Sequence, residues 1–363
     1  MADINITTTD GITAEQFNDS AFREYKDKLV TRPYMGTTSE FPIQVNQVLA
    51  TMKGDAITFN LAAALSGAGV AGSSTLEGNE ESQSYFAQRV VVNQKRNAVR
   101  IPWMSEQRTP FTLMNEAKPA LTTWLAQVVE DDMFTALSTI NGLTYGSASE
   151  AQKDTWLADN ADRVLYGAAV GNGSSLDSST SLLNVDGTTD ILNVEQISLA
   201  KRLAIMASPK IRPIKIQNGE EFFVMFAHPL CVRDLKNSTA WQAAQRDAMP
   251  RGTDNPLFTG MAGIWDSVII KETPKVLLLS GVGAAGINVA MNSLCGAQAL
   301  LFAQGGTPKG YVVDMVEEEF DYGDKTGVAI RSVYGIEKAR FKTKVTNPCQ
   351  HGVVSVFSAA VAD

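Results

Sequence analysis

Histidine is nearly missing from this sequence: among 363 residues only His228 and His351 occur. A Ser-His-Asp triad or a histidine-rich metal site therefore has almost no material. Cysteine is nearly as scarce. Cys231, Cys295 and Cys349 are odd in number, widely spaced and free of any C-x-x-C pattern. That speaks against a disulfide framework and a zinc site, so the three read as reduced thiols. No apolar run approaches the roughly 18 residues of a membrane-crossing helix. The amino-terminal M-A-D-I-N-I-T-T-T-D has no basic stretch ahead of an apolar one, so neither export nor membrane insertion is expected. Charged residues make up 19% of the chain, below the roughly 25% usual for soluble domains. With 39 acidic and 31 basic residues the net charge is -8, and bulk attraction to DNA phosphates or an anionic membrane is not the default. The apolar content of 44% supplies a sizeable core for one large or two ordinary domains. A low-charge surface on such a chain points to self-association that covers part of it.

What is present is organised around the stretch from Thr109 to Asn141. Its apolar residues Leu113, Ala117, Leu121, Leu125, Val128, Met133 and Leu137 follow the three-and-four spacing of a buried helix face. Thr109-Pro110 reads as an N-cap with proline at the first helical position, and Asn141-Gly142 as the stop. Pro119 predicts a kink or restart near Lys118.

Before it, Thr13 and Gln16 form a capping-box pair for a helix carrying Phe17, Ala21, Tyr25 and Leu29, and 31–43 reads as an extended arm. Ile57, Phe59 and Leu61, then Phe86, Val90 and Val92, alternate as two strands of a hairpin with a long Gly- and Ser-rich tip. Residues 98–103 form a further extended piece. Residues 142–190, with G-N-G-S-S-L-D-S-S-T-S, read as a surface excursion. A helix at 194–206, strands at 211–216 and 222–226, a helix after Pro229, a loop at 249–263 and a strand at 264–271 make a compact α/β module. D-Y-G-D-K-T-G between 311–320 and 327–334 signals a hairpin, and 336–345 reads as a third strand with Lys338, Arg340, Lys342 and Lys344 on one face.

Candidate chemistry is sparse. Gly281, Gly283 and Gly286 form a G-x-G-x-x-G after an apolar run, which could set a dinucleotide pyrophosphate on a helix N-terminus. No acid follows before Asp314, however, and too little chain remains for the rest of such a sheet. His228 before Pro229, with Cys231 nearby, reads as a histidine that opens a helix rather than half of a metal site. Glu130, Asp131 and Asp132 read as a solvated helix face. The basic stripe is placed against Glu317, Glu318 and Glu319, as inter-strand or intersubunit charge contacts rather than DNA contacts. No cofactor, metal or catalytic residue is assigned.

The order of parts resembles the major capsid proteins of tailed bacteriophages, in the branch found in large lytic podophages and related prophages. The resemblance is carried by G-D-A-I-T-F-N-L (54–61), L-E-G-N-E-E (76–81), Q-K-R-N-A-V-R (94–100) and M-S-E-Q-R-T (104–109). It continues in F-A-H-P (226–229), N-P-L-F-T-G (255–260), C-G-A-Q-A-L (295–300) and E-F-D-Y-G-D-K-T-G-V-A-I (319–330). It covers nearly the whole chain and implies the α+β Hong Kong 97-type fold. The implied parts are an N-terminal arm at 1–54, an extended β-hairpin loop at 55–103 and a peripheral domain with the spine helix at 104–190. An α/β axial domain at 191–305 follows, then peripheral strands and a C-terminal segment at 306–363. The implied function is a non-catalytic shell of hexamers and pentamers in the virion, made in the host bacterial cytoplasm. Its implied partners are a separate scaffolding protein, a portal, a decoration protein in some shells, and packaged double-stranded DNA enclosed without sequence-specific binding. The competing readings are a nicotinamide- or flavin-linked oxidoreductase and a phage tail or fibre component. Some relatives join subunits through a lysine on the loop, but no lysine lies between Lys53 and Lys95, so a noncovalent shell is expected.

Overall fold

The computed structural model describes residues 31–50, 54–65, 67–73, 75–108, 113–215, 219–247, 263–307, 310–343 and 348–362. The helix expected at 13–29, the Thr109-Pro110 cap, most of the 249–263 loop and Lys344 lie outside the described residues. The chain divides into two compact units, one of 1–57, 90–138 and 300–337, the other of 58–89, 139–299 and 338–363.

The first unit is built on the long helix, Leu113–Leu137. It buries Leu121, Leu125, Val129, Met133 and Phe134 at the expected spacing, each worth about 1.5–3 kcal/mol against exposure. The helix runs through Pro119 without the expected restart, and Thr122 Oγ1 donates to the Lys118 carbonyl at 3.1 Å. Its sheet has the order Met35–Gly36, Ile43–Leu49, Leu300–Gly305, Lys325–Lys338, Val313–Phe320, with Asn93–Pro102 also pairing Lys325–Lys338. The expected hairpin is present: Val313–Phe320 pairs antiparallel with Lys325–Ser332. Its turn sets Asp321 and Tyr322 both at φ 57° and Gly323 at φ 90°, the left-handed conformations that a tight hairpin turn demands.

The second unit holds an eight-stranded sheet with the central order Val164–Tyr166, Val353–Ala359, Val289–Cys295, Glu221–Ala227, Val268–Glu272, Gly263–Trp265. Val289–Cys295 and Val353–Ala359 are buried at every residue, so both faces are covered and no buried-exposed alternation appears, with Asn292, Ser293, Ser355 and Ser358 buried among the apolar side chains. Glu221–Ala227 and Val268–Glu272 run parallel, joined by a crossover that contains the Pro229–Asn237 helix. On one side the core gathers Ile197, Ala200 and Ala204 with Cys231, Val232, Leu235, Leu294, Val354 and Val356.

A second core corrects the expected surface excursion. Ile140, Tyr145, Trp156, Leu157, Val164, Tyr166, Leu182 and Val185 pack with Val289, Met291, Phe357 and Ala359. The segment is ordered by these few large side chains and by two capped helices. Ser149 and Gln152 form a capping box on Glu150–Asp159, and Asp177 caps Ser178–Leu183. Residues 139–190 and 338–363 thus belong to the second unit.

The expected loop hairpin pairs Ala56–Ala62 with Tyr85–Val91. Ile57, Phe59 and Val90 are buried at its base. From residue 64 to 84 the described residues are exposed, with Val70 half-buried.

Candidate functional site

The geometry first removes the enzyme-like candidates. Gly281 and Gly286 have φ 69° and 76°, but the glycine run lies between two antiparallel strands, Leu278–Leu279 and Val289–Cys295. Only the three-residue turn Ala284–Gly286 follows it. No helix N-terminus is presented there, so the dinucleotide arrangement is not formed. His228 does open a helix: its Nδ1 accepts from Leu230 N at 3.3 Å, and burial pushes its pKa down. His351 is buried edge-on against Phe341, and burial with Arg212 and Arg163 nearby brings its pKa down to about 4. Burial raises the thiols of Cys231 and Cys295 to about 12, which leaves them protonated and unreactive. Glu130 and Asp132 are not simply solvated: Glu130 is buried, and Asp132 accepts from Tyr334 Oη at 2.8 Å.

The basic stripe does not form as one face. The last long strand ends at Lys338 and a separate short strand, Arg340–Phe341, pairs with Cys349–Gln350. Lys338 is 3% exposed and donates from Nζ to the Thr139 carbonyl at 2.7 Å. Burial, with Arg340 nearby, pushes its pKa down to about 7. Arg340 is half-buried with its guanidinium beside Gly142, while Lys342 is exposed. Glu317, Glu318 and Glu319 are exposed and lie opposite Val328, Gly327 and Thr326 in the ladder, and Glu317 pairs with Lys118 at 2.6 Å. Inter-strand pairing of the stripe with these acids is therefore not what the ladder shows. The alternation failed because the strand breaks at Ala339, which is fully buried.

Two features went unread in the sequence. Gln88 clamps the loop base to the 338–340 segment, donating from Nε2 to the Lys338 carbonyl at 3.1 Å and accepting from Arg340 N at 2.7 Å. A glutamine at an inward strand position was the available signal. On the first unit, Arg96, Ala98 and Arg100 alternate along Asn93–Pro102 and face Arg331, Ala329 and Gly327 across the ladder. They line a groove of about 220 Å³ with Val316, Glu318 and Phe320, and the Arg100 guanidinium lies 4.2 Å from the Phe320 ring centroid. Large apolar side chains stay exposed near this sheet and on the loop: Val99, Trp103, Met104 and Tyr322, and Leu65, Leu76 and Tyr85.

Comparison with known proteins agrees. The family described as phage capsid protein matches residues 5–362. The major capsid protein of Pseudomonas phage KPP25 is 29% identical over 364 residues, 93% of each chain. Among solved structures, the Cyanophage Pam1 capsid asymmetric unit is 30% identical with a TM-score of 0.81 and 92% of each chain covered. The capsid of Ralstonia phage GP4 is 26% identical with a TM-score of 0.73, over 91% of this chain and 90% of that one. The chain belongs to the phage capsid protein family and has the Hong Kong 97-type fold.

Proposed function

We propose that this chain is the non-catalytic subunit of an icosahedral virion shell of hexamers and pentamers. The observation that carries the reading is the loop. Its described residues from 64 to 84 are exposed apart from half-buried Val70, with Leu65 and Leu76 each 61% exposed, and its strands are anchored at the base. A segment of this kind is stabilised when neighbouring copies cover it. The first unit, with the long helix and the 313–337 strands, supports assignment as the peripheral domain, and the second as the axial domain. Residues 1–54 are the arm and 55–103 the extended loop. Arg340, Lys342 and Lys344 serve contacts between subunits rather than DNA affinity, consistent with the net charge of -8. Scaffolding protein and portal are separate partners, a decoration protein is accommodated outside, and the DNA is enclosed without base readout. Synthesis takes place in the host cytoplasm.

Sedimentation velocity of the full chain, expressed with its scaffolding partner, tests this. Closed shells sediment as very large uniform particles. A small soluble oligomer or an elongated fibre would contradict the reading.

A further inference from the structure

We infer that the arginine-walled groove on the first unit receives the loop tip of a second copy of this chain, an inference that rests on the shell reading above. Charge along the loop and the strand that follows it is segregated. Residues 54–88 carry Asp55, Glu77, Glu80 and Glu81 and no lysine or arginine, whereas residues 89–105 carry Arg89, Lys95, Arg96 and Arg100 and no acid. One chain thus presents an acidic surface and a basic one, and such surfaces complement each other between copies.

The groove is cut into an exposed part of the sheet. Asn93–Pro102 is exposed at every residue but Ile101, and in the ladder Ala98 lies opposite Ala329 and Arg100 opposite Gly327. These small residues make a shallow apolar floor. Phe320 closes one end: a Cβ on Gly327 would stand 2.8 Å from Phe320 Cε2, so the ring lies close over that glycine and carries the Arg100 guanidinium on its face. At the other end Arg331 is already committed, since its Nε donates to Asp314 Oδ2 at 2.9 Å and Asp314 is fully buried. Glu318 is the other acid in the lining. Arg96 and Arg100 form no ion pair with a described residue, and they are the cations this surface offers to a partner.

The tip supplies the matching chemistry. Leu76 to Asn79 is a turn closed by Asn79 N on the Leu76 carbonyl at 2.9 Å, with Gly78 at φ 89° where a side chain would be strained. Glu80 and Glu81 hold its shape, accepting from Gly78 N at 2.8 Å and Gly67 N at 2.6 Å. Glu77 is exposed beside Leu76, itself 61% exposed. A leucine flanked by carboxylates fits an apolar floor with guanidinium groups at its rim, where the charged hydrogen bonds also fix the register. A nucleic-acid backbone would satisfy the arginines but not the apolar floor. Because tip and groove are different surfaces, the contact is head-to-tail, the kind that closes copies into rings.

The test is a charge-swap cycle on the full-length chain expressed with its scaffolding partner, read as particle yield on a gradient. Glu77→Lys and Arg96→Glu, both at exposed positions, should each lower the yield severalfold while the urea midpoint of the dissociated subunit stays that of wild type. The two changes in one chain should restore the yield. Co-expression of the two single variants should restore it as well, since the tip of each then meets an opposite charge on the other. Equal yields for wild type and both single variants, or no recovery in either combination, would overturn the inference and leave the shell reading standing. Recovery in the one chain without recovery on co-expression would place the contact within a copy and contradict it. Normal yield with less DNA in Arg96→Glu would give the groove to the genome instead. A wild type that forms no shell would remove the shell reading and this contact with it.

Discussion

Tyr334 donates its hydroxyl to Asp132 Oδ2 at 2.8 Å, and Lys95 Nζ stands 3.1 Å from the same oxygen. One carboxylate on the long helix thus fastens two strands of the first unit's sheet. Burial and Asp132 raise the Tyr334 pKa, so the phenol stays a donor throughout the working range of pH. Tyr334→Phe should lower the unfolding free energy of the dissociated subunit by about 1–3 kcal/mol, as expected for a hydrogen bond to a charged group. Lys95→Ala, with both partners partly solvated, should cost less than about 1 kcal/mol. Urea denaturation of the two variants gives the comparison, and equal costs would show that the phenol is not the fastening group.

Lys338 makes a second, opposite prediction. Its folded pKa of about 7 lies below the ordinary lysine value of 10.5, so folding favours the neutral amine. Its contribution is fully present above the unfolded pKa and is lost as pH falls from about 10.5 to 7, at on the order of 1.4 kcal/mol per unit. Lys338→Met should therefore be neutral or stabilising at pH 7 relative to wild type, and the advantage should shrink by pH 9. Denaturation midpoints at the two pH values decide it; a variant equally destabilised at both would show that the bond to the Thr139 carbonyl dominates.

His351 gives an acid limb. With the folded pKa at about 4 against 6.5, stability is fully present above pH 6.5 and falls as pH drops from 6.5 toward 4. The loss amounts to roughly 3 kcal/mol. His351→Leu should flatten that limb in a pH series of unfolding curves. A limb of unchanged depth would assign acid sensitivity to other groups.

The sequence made some of this legible and hid the rest for physical reasons. Ile57 and Phe59 alternate on a strand with one buried face, and D-Y-G-D marks a turn that needs left-handed residues, so both hairpins could be placed. Val353–Ala359 is buried on both faces and offers no alternation, so a central strand of the sheet read only as a C-terminal segment. Trp156 and Tyr166 order a Ser- and Gly-rich stretch through contacts distant in sequence, to Met291 and Phe357, which composition cannot display. At 338–344 the alternation was genuine in the letters, but buried Ala339 interrupts the strand and turns Lys338 inward.

Reversing charge at Arg340 and Lys342 together should reduce particle yield severalfold while leaving the subunit folded, since both act between copies in this account. Particle yield by gradient and DNA content per particle separate the outcomes. Normal yield with less DNA would move these residues to the genome-facing surface.

The shell should be noncovalent. No lysine lies between Lys53 and Lys95, and Lys95 is engaged with Asp132, leaving no amine on the exposed loop to join to a neighbour. Mature particles boiled in detergent under reducing conditions should give a single band near 39.1 kDa. A ladder of multimers would place a cross-link elsewhere.

The most direct measurement is a negative-stain image of the full-length chain assembled with its scaffolding partner. Closed, uniform polyhedral particles are predicted. A field of small globular oligomers or of elongated fibres, with no closed shells, would contradict the account.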